Sequence, residues 1–276
     1  MSQDTGIHRI TTKEQYYTKD ETAKDCVRCI TTQILNISDY LWVEPSAGNG
    51  VFLKYIPPGI QSIGIDIDPK NEIIQKQDFL NWKPDTSKPI LVFGNPPFGK
   101  QSSLAKKFIR HSCTFADTIA FILPRSFQKP SMFNSFSDNF HMVYSKDIPY
   151  NSFVVNSYSY DVPCIFQIWK KLSYPRHKEK KIVPNKYNYV KQESGYTFAI
   201  RRVGSQAGKC YMPGRHFNNQ THRFIQLDPD IVMYSKKITD LINKHTFPSN
   251  TVGPRSISTQ EINIVLNSKI SSVITS

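Results

Sequence analysis

No run of about eighteen apolar residues occurs in this 276-residue chain, so a membrane-crossing helix is not expected. The stretch Met1 to Asp20 is polar and lacks the apolar core of a secretory signal. Cysteine is scarce and odd in number, five, with no framework spacing. That sets aside a disulfide-stapled fold and points to a reducing, intracellular compartment, cytoplasmic or nuclear. Cys26 and Cys29 form one C-x-x-C with no second pair and no histidine pair nearby, so packing within a helix is expected and a metal site is not. The pattern G-x-x-x-x-G-K-[ST] is missing, which excludes a triphosphate loop. Internal repeats are missing too. Acidic residues are outnumbered, 22 Asp+Glu against 35 Lys+Arg, for a net charge of +13.

The excess charge is unevenly placed. Residues 1 to 174 hold 19 Lys+Arg and 16 Asp+Glu, a net +3, whereas residues 175 to 276 hold 16 and 6, a net +10. A near-neutral first part joined to a basic second part implies a polyanion partner, nucleic acid in the first instance. Two domains with these boundaries are expected, 1-174 and 175-276, joined by the basic, proline-containing stretch Lys170 to Lys181. An apolar share of 39% is enough for a core at this length.

Within the first part, apolar runs recur as candidate buried strands at 40–43, 62–66, 73–80, 90–93, 118–124, 141–144 and 162–169. The last is expected at an edge or as an antiparallel hairpin partner. Apolar spacing predicts helices from Thr18, with Glu21 completing a capping box, to about Leu35, and over Ser103 to Ser112; another opens at Val51 to Tyr55. Ile90 to Phe93 ends in Asn95-Pro96-Pro97-Phe98. The two prolines fix φ, remove two N–H donors and hold a rigid turn at a strand's carboxyl end, which is where open α/β sheets place ligands. The turn offers the Asn95 side-chain oxygen, the Pro96 carbonyl and the Phe98 ring. Together these suit a flat base bearing an exocyclic amine, with two hydrogens accepted and the ring stacked.

The run ending at Val43 leads into Glu44-Pro45-Ser46-Ala47-Gly48-Asn49-Gly50. A strand, a glycine turn and a helix start form the front of a nucleotide-type site. Glu44 disfavours phosphate there and suits a cationic ligand. Asp66 ends the next strand, about twenty residues later, where a carboxylate accepts ribose hydroxyls. Asp78 ends the third and can accept from an adenine amine. The aromatic loop Tyr150, Phe153, Tyr158 and Tyr160 can supply a second wall to a base pocket, Phe153 being the choice, with a core role equally open.

In the second part, short strands are expected at 187–190, 196–200 and 223–227, and helices at Lys236 to Lys244 and Thr259 to Leu266. Arg201 to Lys209 is a basic turn with two glycines. Its backbone amides, with Arg201, Arg202 and Lys209, can hold phosphates.

Tyr16-Tyr17-Thr18, E-P-S-A-G-N-G, the two acids and N-P-P-F, in this order, resemble the S-adenosylmethionine-dependent amino-methyltransferases, especially those acting on the N6 amine of adenine. The resemblance covers residues 15 to 170. It implies an α/β, Rossmann-like class I methyltransferase fold: a seven-stranded, mostly parallel sheet with helices on both faces and one reversed strand. It implies that Tyr17 and Thr18 lie near the cofactor's methionine end, and that Glu44, Pro45, Ser46, Ala47, Gly48 and Gly50 line its methionine and sugar. Asp66, followed by Ile67, would bind the ribose, and Asp78 with Phe79 the cofactor adenine. Asn95, Pro96, Pro97 and Phe98 would form the catalytic turn. The implied activity is methylation of adenine in nucleic acid, DNA favoured over RNA, by a monomer or with a partner subunit. A methyltransferase acting on protein glutamine, or a non-catalytic nucleic-acid-binding subunit, is the alternative reading.

Overall fold

Side-chain alternation along four buried strands decides the architecture of the first unit. In a computed structural model that describes residues 16–155, 158–177, 180–248 and 255–275, the chain divides into two units, with the boundary between His177 and Lys178. Residues 1 to 15 lie outside the described range. No described helix is long and apolar enough to cross a membrane.

The first unit begins with β1 (Tyr17–Thr18) and α1 (Asp20–Gln33). It continues through β2 (Leu41–Glu44), β3 (Ser62–Asp66), β4 (Gln75–Lys76), β5 (Ile90–Gly94), α2 (Ser103–Ser112) and β6 (Thr118–Pro124). It closes with α3 (Pro130–Phe133), β7 (Phe140–Asp147), β8 (Phe153–Val155), β9 (Tyr158–Tyr160) and β10 (Cys164–Lys171). Seven of these strands form one sheet in the order β4-β3-β2-β5-β6-β10-β7. The pairs β3–β4, β2–β3, β2–β5 and β5–β6 are parallel, whereas β10 runs antiparallel to both β6 and β7. This is the α/β, Rossmann-like sheet with one reversed strand that the resemblance implied.

Each central strand sends successive side chains to opposite faces. Leu41, Val43, Val92, Ile119 and Phe121 meet Ala105, Phe108 and Ile109 of α2 on one side. Trp42, Leu91, Phe93, Ala120 and Ile122 meet Ala23, Val27 and Ile30 of α1 on the other. The sheet is therefore covered on both faces, which is why its strands read as unbroken apolar runs. Cys26 packs, fully buried, in the α1 layer.

Four expectations are corrected. β10 pairs antiparallel, as one of its two expected readings has it, but with both β6 and β7, so it lies inside the sheet, its residues from Cys164 to Trp169 all buried, and β7 takes the edge. The run 73–80 yields only the two-residue β4. The chain after the glycine turn forms a single 3-10 turn, Leu53–Tyr55, because Pro57 and Pro58 bar a longer helix. Thr18 does not cap α1: it pairs with Phe153 in the small sheet β1-β8-β9, and Lys19 precedes the helix without a side-chain cap.

The second unit comprises β11 (Tyr187–Val190), β12 (Phe198–Arg201), β13 (Cys210–Tyr211), β14 (His222–Leu227), α4 (Ser235–Asn243) and α5 (Thr259–Ile274). Its antiparallel sheet has the order β11-β14-β12-β13. Tyr187, Phe198, Ile200, Ile225 and Leu227 face Ile238 and Ile242 of α4 and Ile262 and Leu266 of α5. α5 starts from a capping box between Ser258 and Glu261. It runs past the expected Leu266 because Ile270 and Val273 extend the buried stripe.

Ile122 on β6 is fully buried beneath α1. Ile122→Ala is expected to cost about 2–5 kcal/mol of unfolding free energy. Urea denaturation with an unchanged slope measures it, and a loss below about 1 kcal/mol would show that this layer collapses around the void.

Candidate active site

The carboxyl ends of β2, β3 and β5 converge on one crevice. The chain leaves β2 toward β3 and β4 on one side and returns to β5 on the other, so the crevice lies at a topological switch point. It opens as a cavity of about 350 Å³, a volume suited to a small molecule. Its lining includes Tyr17, Thr18, Glu44, Pro45, Ser46, Ala47, Gly48, Asp66, Ile67, Asp78 and Phe79. The four residues Asn95, Pro96, Pro97 and Phe98 complete one wall.

The Asn-Pro-Pro-Phe turn is clamped at both ends. Gly94, at φ +122°, lies against Glu44, and a Cβ at that position would sit 3.1 Å from Glu44 Cγ. At the far end, the amides of Leu104 and Ala105 donate to the Phe98 carbonyl at 3.1 and 3.2 Å, tying the turn to the start of α2. Gly99 is required there too: at φ +67°, a Cβ would come within 2.9 Å of Leu104 Cβ. Ser46 Oγ donates to the Asn95 carbonyl at 3.0 Å and joins this turn to the glycine turn.

The Asn95 amide is oriented from outside. Its Nδ2 donates to Thr18 Oγ1 at 3.1 Å and more weakly to the Tyr16 carbonyl at 3.5 Å. A backbone carbonyl accepts only, so the nitrogen must face Tyr16. Asn95 Oδ1 is left buried without a partner. β1, held by β8 and by the Lys19 amide donating to the Ser152 carbonyl, is what brings Thr18 here.

Glu44 carries the second unpartnered oxygen. The residue is 1% exposed and its Oε2 has no hydrogen bond. Burial holds its carboxyl well above the usual carboxylate range, Asp66 adds to this, and a hydrogen bond from the Leu53 backbone offsets part of it. Asp66 accepts from the Gly48 amide at 2.7 Å and the Asp68 amide at 2.8 Å, so it shapes the glycine turn as well as lining the cavity. Asp78 caps a 3-10 turn, Phe79–Asn81, by accepting from the Leu80 amide at 2.9 Å.

Two expected residues stand elsewhere. Phe153 is 1% exposed, opposite Thr18 on β8, and packs with Ile148 and Phe166 in the core, away from the cavity lining. The core role thus prevails. The ring beside Phe98 is Tyr16, with centroids 6.3 Å apart and planes 24° from parallel. Its signal was the doubled tyrosine before Thr18. Gly50 turns away toward Asn71 and Ile74, outside the lining. Val51, Phe52, Leu80, Leu104 and Phe108 also line the cavity, but nothing in their spacing separates them from ordinary core.

In the second unit, the turn from Arg201 to Lys209 is not an open phosphate cradle. The amides of Gly204, Ala207, Gly208 and Lys209 donate to backbone carbonyls of Arg255, Gly204, Arg201 and Gln206. Lys209 Nζ donates to the Asn243 carbonyl, and Arg201 Nε to that of Val203. Arg202 is half-buried, and burial, with Arg223 adding, pulls its guanidinium below its ordinary value.

No protein-family model matches the chain, and no curated protein matches it. Among solved structures it is similar to a candidate RNA methyltransferase from Pyrococcus horikoshii, 15% identical with a TM-score of 0.43, over 59% of this chain and 91% of that one. It is similar to the 23S rRNA methyltransferase ErmE, at 16% identity and a TM-score of 0.42, over 58% of this chain and 71% of that one. A magnesium protoporphyrin IX methyltransferase from Synechocystis PCC 6803 with bound SAM is 12% identical with a TM-score of 0.42, over 55% of this chain and 79% of that one. Likenesses this distant carry no argument about chemistry, which rests on the crevice itself.

Because the folded carboxyl of Glu44 titrates above its ordinary 4.5, its contribution to stability is complete below that value and lost as pH rises through the raised one. Glu44→Gln does not titrate. The variant is expected to gain on the parent from about pH 4.5 upward, by up to about 1.4 kcal/mol per pH unit. Urea denaturation of both proteins at pH 5 and pH 8 checks this, and a gap that does not widen rejects a buried, proton-binding Glu44.

Proposed function

We propose that the first unit is an S-adenosylmethionine-dependent methyltransferase that methylates the exocyclic N6 amine of adenine in nucleic acid. The observation that carries this reading is Asn95 Oδ1: a buried acceptor without a partner, at the end of β5, on an amide whose nitrogen is already engaged. A buried polar atom of this kind is costly unless a ligand completes it. An amine hydrogen does so, whereas a carbonyl or phosphate oxygen cannot.

The cavity suits the cofactor. Glu44 Oε2 offers a buried acceptor and latent negative charge to a cationic ligand. Asp66 stands at a strand end where ribose hydroxyls are accepted. Asp78 and Phe79 present a carboxylate and an aromatic wall to an adenine. S-adenosylmethionine, when bound, supplies a methyl activated by the sulfonium charge.

The chain supplies placement. An adenine amine is a poor nucleophile because its lone pair is delocalised into the ring. Acceptance of its hydrogens by Asn95 Oδ1 and the Pro96 carbonyl favours the pyramidal form that localises the pair. Phe98 and Tyr16 hold the ring plane. Thr18 and the Tyr16 carbonyl keep the amide from rotating, so the acceptor is set before the target arrives. Placement of this kind can contribute roughly 7–11 kcal/mol. A protein glutamine amide presents similar hydrogens, but the paired rings of Tyr16 and Phe98 favour a flat base.

The test is transfer of a labelled methyl group to DNA, RNA and protein offered in parallel, followed by nucleoside digestion and mass analysis. N6-methyladenine is the expected product; label confined to glutamine would replace this reading. Asn95→Ala is expected to bind S-adenosylmethionine as the parent does and to lose about 100-fold or more in turnover, the size of effect seen when one oriented polar group is removed. Thr18→Val leaves the acceptor but frees the amide, so kcat is expected to fall about ten-fold with cofactor binding unchanged. Parental turnover in both variants removes the amide from the chemistry.

A further inference from the structure

The sheet of the second unit is covered by α4 and α5 on one face only, among the described residues. By alternation along β12 and β14, Ala199, Phe224 and His222 point to the other face. There Phe217, from the loop after β13, packs on Phe224 and Ala199, with Tyr196 and Tyr211 beside them. Arg215 lies over this layer. Its guanidinium carbon is 4.9 Å from the Tyr211 ring and 4.9 Å from the Phe217 ring. The Arg215 side chain is exposed and makes no ion pair among the described residues. Met212 beside it is 49% exposed.

Arg201 and Arg215 both lie near His222; burial pulls its imidazole below its ordinary value, a hydrogen bond with the Asn218 backbone offsets part of this, and the two arginines add to it. None of the five acids between residues 180 and 275 pairs with Arg215 among the described residues. Asp230 pairs with Lys186, and Glu261 caps α5. Asp240 is on α4, Asp228 follows β14, and Glu193 lies in the turn 192–194, next to Gln192, which bonds to His216 and Phe217. No carboxylate hydrogen-bonds to Arg201 or Arg215 among the described residues. The Arg215 guanidinium, laid on aromatic rings without a counter-ion, leaves a face that an external anion with flat groups completes.

We infer that the face of the second sheet presented by Tyr211 and Arg215, and backed by the buried Phe217 and His222, binds single-stranded nucleic acid, with Arg215 held flat to stack on a base or pair with a phosphate. This rests on the reading of the chain as a nucleic-acid methyltransferase and locates where that substrate is held outside the catalytic crevice. Stacking platforms that carry cations are the general means of holding unpaired strands. A duplex keeps its bases inside its own stack and offers such a face only phosphates. The face is a sheet with the loop between Tyr211 and His222, and no described helix lies on it to enter a major groove.

The experiment uses the full chain and a fluorescein-labelled, adenine-containing single strand of about 20 nucleotides, as DNA and as RNA, with the matching duplex as a third arm. Fluorescence anisotropy reads the dissociation constant. Arg215→Ala is expected to weaken single-strand binding about ten-fold, and Tyr211→Ala by a similar factor. Arg215→Lys keeps the charge but not the plane, so it is expected to fall between Arg215→Ala and the parent. Lys236→Ala removes the same charge from exposed α4, on the helix-covered side, and is expected to change binding less than about two-fold.

Equal losses for Arg215→Ala and Lys236→Ala would reduce the face to diffuse charge and overturn the inference. So would parental affinity in both Arg215 variants, or a duplex bound as tightly as the single strand. Titration of S-adenosylmethionine into the same preparations reports separately on the first unit. Intact cofactor binding with unaltered oligonucleotide binding rejects this face alone, and absent cofactor binding rejects the catalytic reading alone. Unchanged thermal unfolding of Arg215→Lys shows that any loss is not one of folding.

Discussion

The arrangement of the first unit depends on one side-chain amide. Asn95 sits where a buried strand ends in two prolines, and its nitrogen is tied to Thr18 and to the Tyr16 backbone. Without those donors' partners the amide could rotate and exchange its oxygen for its nitrogen, and the buried acceptor would be lost. The small sheet β1-β8-β9 therefore has a purpose that its size conceals: it delivers an acceptor pair to the far side of β5. The cost of leaving Oδ1 unpartnered, of the order of 1–3 kcal/mol, is borne by the packed sheet on either side.

The same crevice holds a second strained element. Glu44 is buried beside Gly94, at the only kind of residue that lets its side chain lie across the end of β5. In the absence of a cation the carboxyl is driven toward its neutral form by burial and by Asp66. A positively charged ligand reverses that balance, because an opposite charge nearby favours the ionised form. Two destabilising features, an orphan acceptor and a buried acid, thus belong to residues that line one cavity. On the proposed reading both are relieved together, one by an amine donor and the other by a cation. Features that lower stability while sharing one target are what a preorganised site requires.

Much of this frame was legible in the residues. The bounds of α2 and β6 follow from apolar spacing and from unbroken burial, since both are dictated by packing on the sheet. The crevice lining was legible where strands end in acids, glycines or prolines, because such residues stop strands for chemical reasons. What failed had physical causes. Thr18 with Glu21 has capping-box spacing, yet a strand pairing with Phe153 claimed Thr18 first. Phe153 and Tyr16 are both aromatics near the site, and only pairing register decides which one is core. The basic turn at Arg201 reads as a phosphate loop by composition, but its amides close the β12–β13 connection on themselves. Hydrogen bonds between residues distant in sequence leave no local mark, and the first two of these errors turned on one.

The two units answer different parts of one energetic problem. An adenine inside a duplex must leave its stack before its amine can reach a buried acceptor, at a cost of a few kcal/mol. The crevice of the first unit has a shaped pocket but little charge to draw a polyanion, since residues 1 to 174 carry only +3. On the proposed reading, the second unit, with most of the excess charge, supplies the complementary means: long-range attraction, and a flat cation on aromatic rings to hold unpaired bases. Attraction of this kind is independent of sequence and weakens with salt, so it sets affinity without setting the site of reaction. On the proposed reading, choice of the reacting atom falls to Asn95, whose single free oxygen accepts a hydrogen and so turns away a carbonyl or a ring nitrogen that has none to give. On this division, charge in the second unit governs encounter, while the amide governs the rate of the reaction itself.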